Sequence, residues 1–225
     1  MRLLDLFCGA GGAAMGYHRA GFEVVGVDIE PQPHYPFEFI QSDAISFLVR
    51  NAGFGFDAIH ASPPCQTFTT MSNRHRGRGG LADQRPDYLT PIRAMLGGID
   101  SERMPWVIEN VLGAKQKMSP TLVLHGGMFG LGVDRPRYFE SNVLLFAPMG
   151  PRVSNPIGVY GKAHDGRRLF TRADGSEQRA AASLEEAQAA MGMDWGDWDG
   201  VREAIPPAYT EWIGRQLLAA LERAA

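Results

Sequence analysis

Cysteine is scarce in this chain: Cys8 and Cys65 are the only two in 225 residues. Two thiols do not make a disulfide framework, and such usage fits a reducing compartment where a thiol stays free. Long apolar runs are missing as well. No stretch approaches the roughly 20 residues needed to span a bilayer. The start, Met1 to Phe7, turns acidic at Asp5, too early for a signal peptide. The expectation is a cytoplasmic protein without membrane contact. Nor is there an excess of positive charge, since 22 Lys and Arg against 25 Asp and Glu leave a net charge of -3. A polyanionic partner would have to meet a local basic patch. The six histidines show no ligand-like pairing with cysteines, so no metal site is expected. Internal repeats and low-complexity tracts are absent too.

Hydrophobic residues at 44% and charged residues at 21% are ordinary globular usage, and the length suits one domain, or one with a small insert. Arg2 to Phe7 reads as a buried strand running into glycines, and Ala13 to Ala20 as a helix stopped by Gly21. Phe22 to Ile29 is a second strand with an acid near its end. Phe56 to Ala61 is another, closed by Ser62-Pro63-Pro64. A helix is expected over Asp87 to Ile99. Strands are expected at Trp106 to Glu109, Leu122 to Leu124 and Arg137 to Leu145. Alternating strands and helices predict a doubly wound α/β sheet. After Pro148, Pro, Gly, Ser and Arg dominate until about Ala180, which reads as a small loop-rich insert. Helices return at Ser183-Leu184-Glu185-Glu186, a capping-box-like start, and over Tyr209 to Arg223. The expected division is 1–146, 147–182 and 183–225.

Gly9, Gly11 and Gly12 follow the first strand, where backbone must approach a ligand closely, and a helix N-terminus stands behind them. The Gly-x-Gly-Gly spacing differs from the dinucleotide Gly-x-Gly-x-x-Gly. Asp5, inside the strand end, could face an ammonium group. Both features point to S-adenosylmethionine. Asp28 could accept ribose hydroxyls, with Glu30 as a rival. Asp43 could meet an adenine amino group, or simply cap the helix that starts at Ala44.

Cys65 follows Pro63-Pro64 at a strand end, a place for a nucleophilic thiolate. Cys8 reads instead as a small buried residue. Glu109 ends an apolar strand, where a carboxyl is costly unless paired or used. Its raised pKa would let it protonate a ring nitrogen. Arg135 and Arg137 alternate along an extended segment and so should face one side, as donors to a base carbonyl and a phosphate, or as solvated arginines. Thr67 to Arg85 carries Arg74, His75, Arg76 and Arg78 among glycines: a basic loop that could close over a nucleic acid, or a solvated charge run. These are the parts needed to attack C6 of a pyrimidine and alkylate its C5.

The ordered set resembles the cytosine-C5 DNA methyltransferase family. Asp5 to Gly12 looks like its cofactor loop, Pro64-Cys65-Gln66 like its nucleophile motif, and Glu109-Asn110-Val111 like its acid motif. Arg135-Pro136-Arg137 looks like its arginine motif. Gly127 to Leu131 and Ala204-Ile205-Pro206-Pro207 resemble further family segments. The resemblance implies a Rossmann-like methyltransferase sheet with a small recognition insert. It implies S-adenosylmethionine as cofactor and double-stranded DNA as substrate. Cys65 would attack C6, Glu109 engage N3, and Arg137 touch O2, with Arg135 beside it. The cofactor would be held by Asp5, Phe7, Gly9, Gly11, Gly12, Asp28, Ile29, Asp43, Ala44, Pro64, Glu203 and Ala204. DNA would meet Gln66, Arg74, Arg76, Arg78, Arg167 and Arg168. A monomer of bacterial or phage type is expected.

Three departures stand out. Val133 replaces the usual Gln before the arginine motif, and Arg202-Glu203 replaces the usual Gly-Asn before the last segment. The cation at Arg202 could accept a cofactor bearing a carboxylate, or simply be solvated. The insert, about 147–182, is also small for the family. Its Arg152, Lys162, His164, Arg167, Arg168, Arg172 and Arg179 suit phosphate contact better than base readout. Short or relaxed sequence specificity follows. RNA or a free pyrimidine nucleotide as substrate, and a non-catalytic nucleic-acid-binding relative, are the alternatives.

Overall fold

The computed structural model describes residues 1–51, 55–64, 86–100, 104–161, 166–171, 175 and 177–224. Seven strands form one sheet in the order β3-β2-β1-β4-β5-β7-β6. They are β1 (Arg2–Leu6), β2 (Glu23–Asp28), β3 (Glu38–Gln41), β4 (Ala58–Ala61), β5 (Trp106–Val111), β6 (Leu122–Leu124) and β7 (Arg137–Ser141). The first five run parallel, and β7 lies antiparallel between β5 and β6. The parallel strands are apolar because helices cover both faces. Leu3, Val24, Ala58 and Val107 face α1 (Gly12–Ala20) and α6 (Pro207–Ala224). Leu4, Leu6, Val27, Ile59 and Ile108 face α2 (Ala44–Asn51) and α3 (Leu89–Leu96).

Helices α1 and α6 pack so closely that a Cβ on Gly16 would lie 2.1 Å from both Pro207 O and Thr210 Oγ1. Only a glycine fits there. Thr210 Oγ1 donates to Ala13 O at 2.8 Å across the same contact. The C-terminal helix expected over 209–223 thus forms part of the sheet's cover.

The segment after β7 contains a two-stranded antiparallel sheet, β8 (Leu169–Thr171) and β9 (Glu177–Arg179). Two helices follow, α4 (Leu184–Met191) and α5 (Trp198–Glu203). As the sequence suggests, Ser183 caps α4, its Oγ accepting from Glu186 N at 3.2 Å. A core cluster joins Val159 and Ala181 to Ala187, Met191, Val201 and Ala204. The loop-rich stretch therefore shares its core with the helices that follow it. Helix α5 is absent from the sequence reading, since Trp-Asp-Gly-Val-Arg-Glu has no amphipathic period.

Candidate active site at the carboxyl edge of the sheet

Doubly wound sheets bind ligands beyond the carboxyl ends of their strands, and the polar residues of this chain gather there. Side chains alternate along a strand and paired residues share a face. Asp5 pairs with Gly26 on one side and with His60 on the other. Asp5 and His60 therefore stand on the α1 face, next to each other, and Glu109 stands on that face two residues beyond Val107.

Asp5 is fully buried, and neither carboxylate oxygen has a hydrogen-bond partner. Burial pushes its pKa well above the usual carboxylate range, and the Asp28 charge pushes it further. The nearby Tyr35 hydroxyl pulls the other way, although it too completes no hydrogen bond. A buried, orphaned carboxylate of this kind calls for a cationic ligand group.

The loop after β1 begins with Phe7 at φ 59, a left-handed conformation that costs a non-glycine residue on the order of 1–3 kcal/mol. Gly9 and Gly11 share that sign, at φ 49 and φ 83. Asp28 braces the loop, its two oxygens accepting from Gly9 N and Glu30 N at 3.0 Å each. Each oxygen keeps a second lone pair for a ligand hydroxyl. Ile29, next in the chain, is 60% exposed despite being apolar, so it offers an uncovered face beside the loop. Cys8 is buried and its thiol pKa is raised by burial and by Asp5 and Asp28. That inert environment matches its reading as a small core residue. The orphaned acid, the glycine loop, the half-used Asp28 carboxylate and the bare apolar Ile29 fit a cofactor with an ammonium, a ribose and a purine.

Asp43 caps α2, its Oδ1 accepting from Ser46 N at 2.8 Å, and Ala44 is buried in the first turn. The capping reading of Asp43 therefore holds. Pro64 is exposed.

His60 is buried between two hydroxyls, Tyr17 Oη at 3.0 Å from Nδ1 and Ser62 Oγ at 2.7 Å from Nε2. Burial pushes its pKa down to about 3, so the ring is neutral and the pair of hydroxyls is matched to one N–H and one lone pair. The sequence alone does not single out this hydrogen-bonded trio. Its signal was a histidine inside an otherwise apolar strand with a serine two residues on, the spacing that shares a face.

Glu109 pairs with Phe139 across the antiparallel β5–β7 ladder, which makes Arg137 its diagonal neighbour on the same face. Arg137 Nε lies 2.8 Å from Glu109 Oε1, an ion-pair contact whose direction does not complete a hydrogen bond. Burial raises the Glu109 pKa, and Arg137 and Arg135 oppose it without cancelling it. Asn110, the next residue, donates to Pro63 O at 2.9 Å. The acid strand is thereby bonded to the segment that leads, two residues on in sequence, to Cys65. Cys65, Gln66, Arg74, Arg76 and Arg78 lie outside the described residues.

Arg135 departs from expectation. The alternation argument requires an extended backbone, but Arg135 has φ 35, so it does not share a side with Arg137. Its guanidinium is buried and donates to Ala204 O at 3.0 Å, Val159 O at 3.3 Å and Arg202 O at 2.6 Å. Three of its five N–H donors are thus bonded to backbone carbonyls, away from the Glu109–Arg137 pair.

Arg202 is not an open cation either. Its Nε is 2.8 Å from Asp199 Oδ1 and its Nη2 is 3.0 Å from Glu203 Oε1. Two acids surround the one guanidinium, which removes the reason to expect a carboxylate-bearing cofactor there. Glu203 is exposed and Ala204 buried. Arg167 and Arg168 are exposed beside β8, and Arg168 lies 5.5 Å from the Phe170 ring centre. Arg152 contacts Asp134 at 3.1 Å, and Arg179 pairs with Glu186. Among the described residues no group of three potential metal ligands occurs, and no helix is long and apolar enough to cross a membrane.

The chain is similar to known proteins. Type II methyltransferase M.HgiDI of Herpetosiphon aurantiacus is 31% identical over 160 residues, 62% of this chain and 51% of that protein. The match thus spans about half of that relative. Type II methyltransferase M.HgiGI of the same organism is 29% identical over 128 residues, 51% of this chain and 94% of that protein. Two solved structures share the fold, each at TM-score 0.61. One is described as a DNA modification methyltransferase encoded within an E. coli prophage, 16% identical and covering 99% of both chains. The other is the S. pombe Dnmt2 methyltransferase, 13% identical, covering 98% of this chain and 99% of that one. Residues 1–118 match C-5 cytosine-specific DNA methylase from the cofactor loop through the acid strand, and the chain belongs to that family.

Proposed function

We propose that this protein transfers a methyl group from S-adenosylmethionine to C5 of cytosine in double-stranded DNA. One observation carries the reading furthest. A buried acid with a raised pKa, Glu109, sits beside Arg137, and its neighbour Asn110 is bonded to the segment leading to Cys65. Cytosine C5 is a poor nucleophile until a nucleophile adds at C6, and that addition needs positive character at N3. A carboxyl whose pKa burial raises is suited to supply it, while Arg137, beside it, would meet the O2 carbonyl.

The Cys65 thiolate forms a bond to C6 as Glu109 gives a proton to N3, which leaves C5 electron-rich. S-adenosylmethionine, when bound, would supply the electrophilic methyl group to C5 and become a neutral thioether. After transfer, C5 gives its proton to solvent and the C6–sulfur electrons return to Cys65 as thiolate. N3 returns its proton to Glu109, and the aromatic ring is restored. Asp5 would hold the donor's ammonium, Asp28 its ribose and Ile29 its adenine. The cytosine must leave the duplex to reach such a site. The exposed Arg167 and Arg168 would meet phosphates, and with the small insert this supports short or relaxed specificity. The setting we infer is the cytoplasm of a bacterial or phage-infected cell, and the working unit is a monomer.

The test is labelled methyl transfer to duplex DNA, RNA and dCMP in parallel. Duplex DNA is the expected acceptor, with the label recovered as 5-methylcytosine. Transfer to RNA or dCMP alone would replace this substrate, and transfer to none would remove the enzymatic reading.

A further inference from the structure

Arg135 spends a full charge in the interior. It is 2% exposed, and burying a guanidinium is costly unless its donors are satisfied. They reach three carbonyls on two separate segments: Val159 in the insert, and Arg202 and Ala204 just before α6. The Tyr160 ring lies 5.8 Å from the guanidinium carbon. The left-handed backbone that aims the side chain is itself pinned, with Tyr209 Oη donating to Arg135 O at 3.0 Å. Burial lowers the pKa to about 10, so the cation persists at neutral pH.

One of the residues whose carbonyl it grips, Ala204, is next to the cofactor loop. A Cβ on Gly12 would lie 2.3 Å from Ile205 O and 3.0 Å from Ala204 Cβ, so the 204–205 backbone rests directly on the start of α1. Trp195 Nε1 also donates to Ala10 O at 2.8 Å. A continuous path of contacts therefore runs from Val159 and Tyr160, through Arg135, to Ala204, Ile205 and Gly12. The same residue stands two positions before Arg137, which contacts the catalytic acid.

We propose that Arg135 is a positioning residue that ties the insert to the cofactor loop, so that DNA on the insert and methyl donor on the loop bind cooperatively. The identity of the two ligands rests on the function proposed above. A base-contacting arginine and a tie behave differently on substitution. The first lowers turnover with donor affinity intact. The second changes donor affinity and its response to DNA.

The experiment measures the Kd of S-adenosylmethionine by titration calorimetry, with and without saturating sheared plasmid DNA. It compares the wild type with Arg135→Lys and Tyr160→Leu. Lysine keeps the charge but cannot reach three carbonyls. Tyr160→Leu leaves all three contacts and removes only the ring, so it serves should the lysine variant not fold. DNA is expected to tighten donor binding by about tenfold in the wild type, within the usual range of coupling between sites. Arg135→Lys with a wild-type melting temperature should lose most of that ratio, and Tyr160→Leu, which removes only the ring contact, a smaller part of it. An unchanged ratio with collapsed turnover would overturn the proposal and make Arg135 a base contact. No DNA effect in the wild type would also overturn it. Amide exchange on the unliganded proteins separates this inference from the functional reading. Faster exchange of residues 157–161 and 203–206 together in Arg135→Lys supports the tie even if the wild type binds no donor, whereas unchanged exchange removes it.

Discussion

Replacing Glu109 with Gln lowers the rate of methyl transfer by roughly 10²–10⁴-fold, the range for losing a positioned general acid. The change keeps the volume of a buried side chain and leaves a hydrogen-bond donor facing N3, so folding and DNA binding should stay close to wild type. What it removes is the proton. The pH profile carries a second signature. Burial holds the Glu109 carboxyl protonated above its ordinary range, against the pull of Arg137 2.8 Å away. The protonated form is the active one, so the wild-type rate falls as pH rises through the folded pKa. In Glu109→Gln that limb should vanish. In Arg137→Met it should move to higher pH, because the cation that favours the carboxylate is gone. Single-turnover rates at saturating DNA and donor decide the matter. A Gln variant within threefold of wild type would mean that N3 is protonated from elsewhere.

Asp5→Asn should split stability from binding. Asp5 sits buried without a hydrogen-bond partner, and ionising such a group costs about 1–3 kcal/mol or more. The amide removes the charge, so the ligand-free protein should melt higher at neutral pH, by about 5 °C for a chain of this size. The sign of the pH dependence is fixed by linkage. The folded pKa of Asp5 is raised above the unfolded value, so the folded state binds the proton more tightly. The contribution is favourable below the unfolded pKa and is lost as pH rises through the folded one. The advantage of Asp5→Asn should therefore be greatest at neutral pH and shrink below about pH 4. Donor affinity should move the other way, falling about 100-fold as the ion pair with the ammonium is lost. Thermal melts at two pH values and donor titration together test this. A variant that is less stable and binds the donor normally would place the ammonium elsewhere.

The sequence is informative about the sheet and less so about what the side chains do. Strands β1, β2 and β5 are apolar runs ended by Gly, an acid or a turn, and their bounds in the fold differ from the sequence reading by a residue or two. The helix at 207–224 was visible because its apolar residues recur at helical spacing. Asp5, Asp28 and Glu109 were legible as acids at strand ends, where a carboxyl is expensive without a purpose. Arg135 was not, because its role depends on one positive φ that no neighbouring glycine announces. A local alternation rule fails when a single backbone angle turns the side chain away. Arg202 failed for a related reason: whether a cation is open depends on Asp199 and Glu203 folding round it. His60 hid inside a strand that reads as core, and only its partners, Tyr17 and Ser62, separate it from a tolerated polar residue.

The most direct test is nucleoside mass spectrometry of plasmid DNA from cells expressing the wild type or Cys65→Ala. Methyl transfer through a Cys65–C6 bond predicts 5-methylcytosine with the wild type and none with the variant. Unmodified DNA from both, or equal 5-methylcytosine from both, would contradict it.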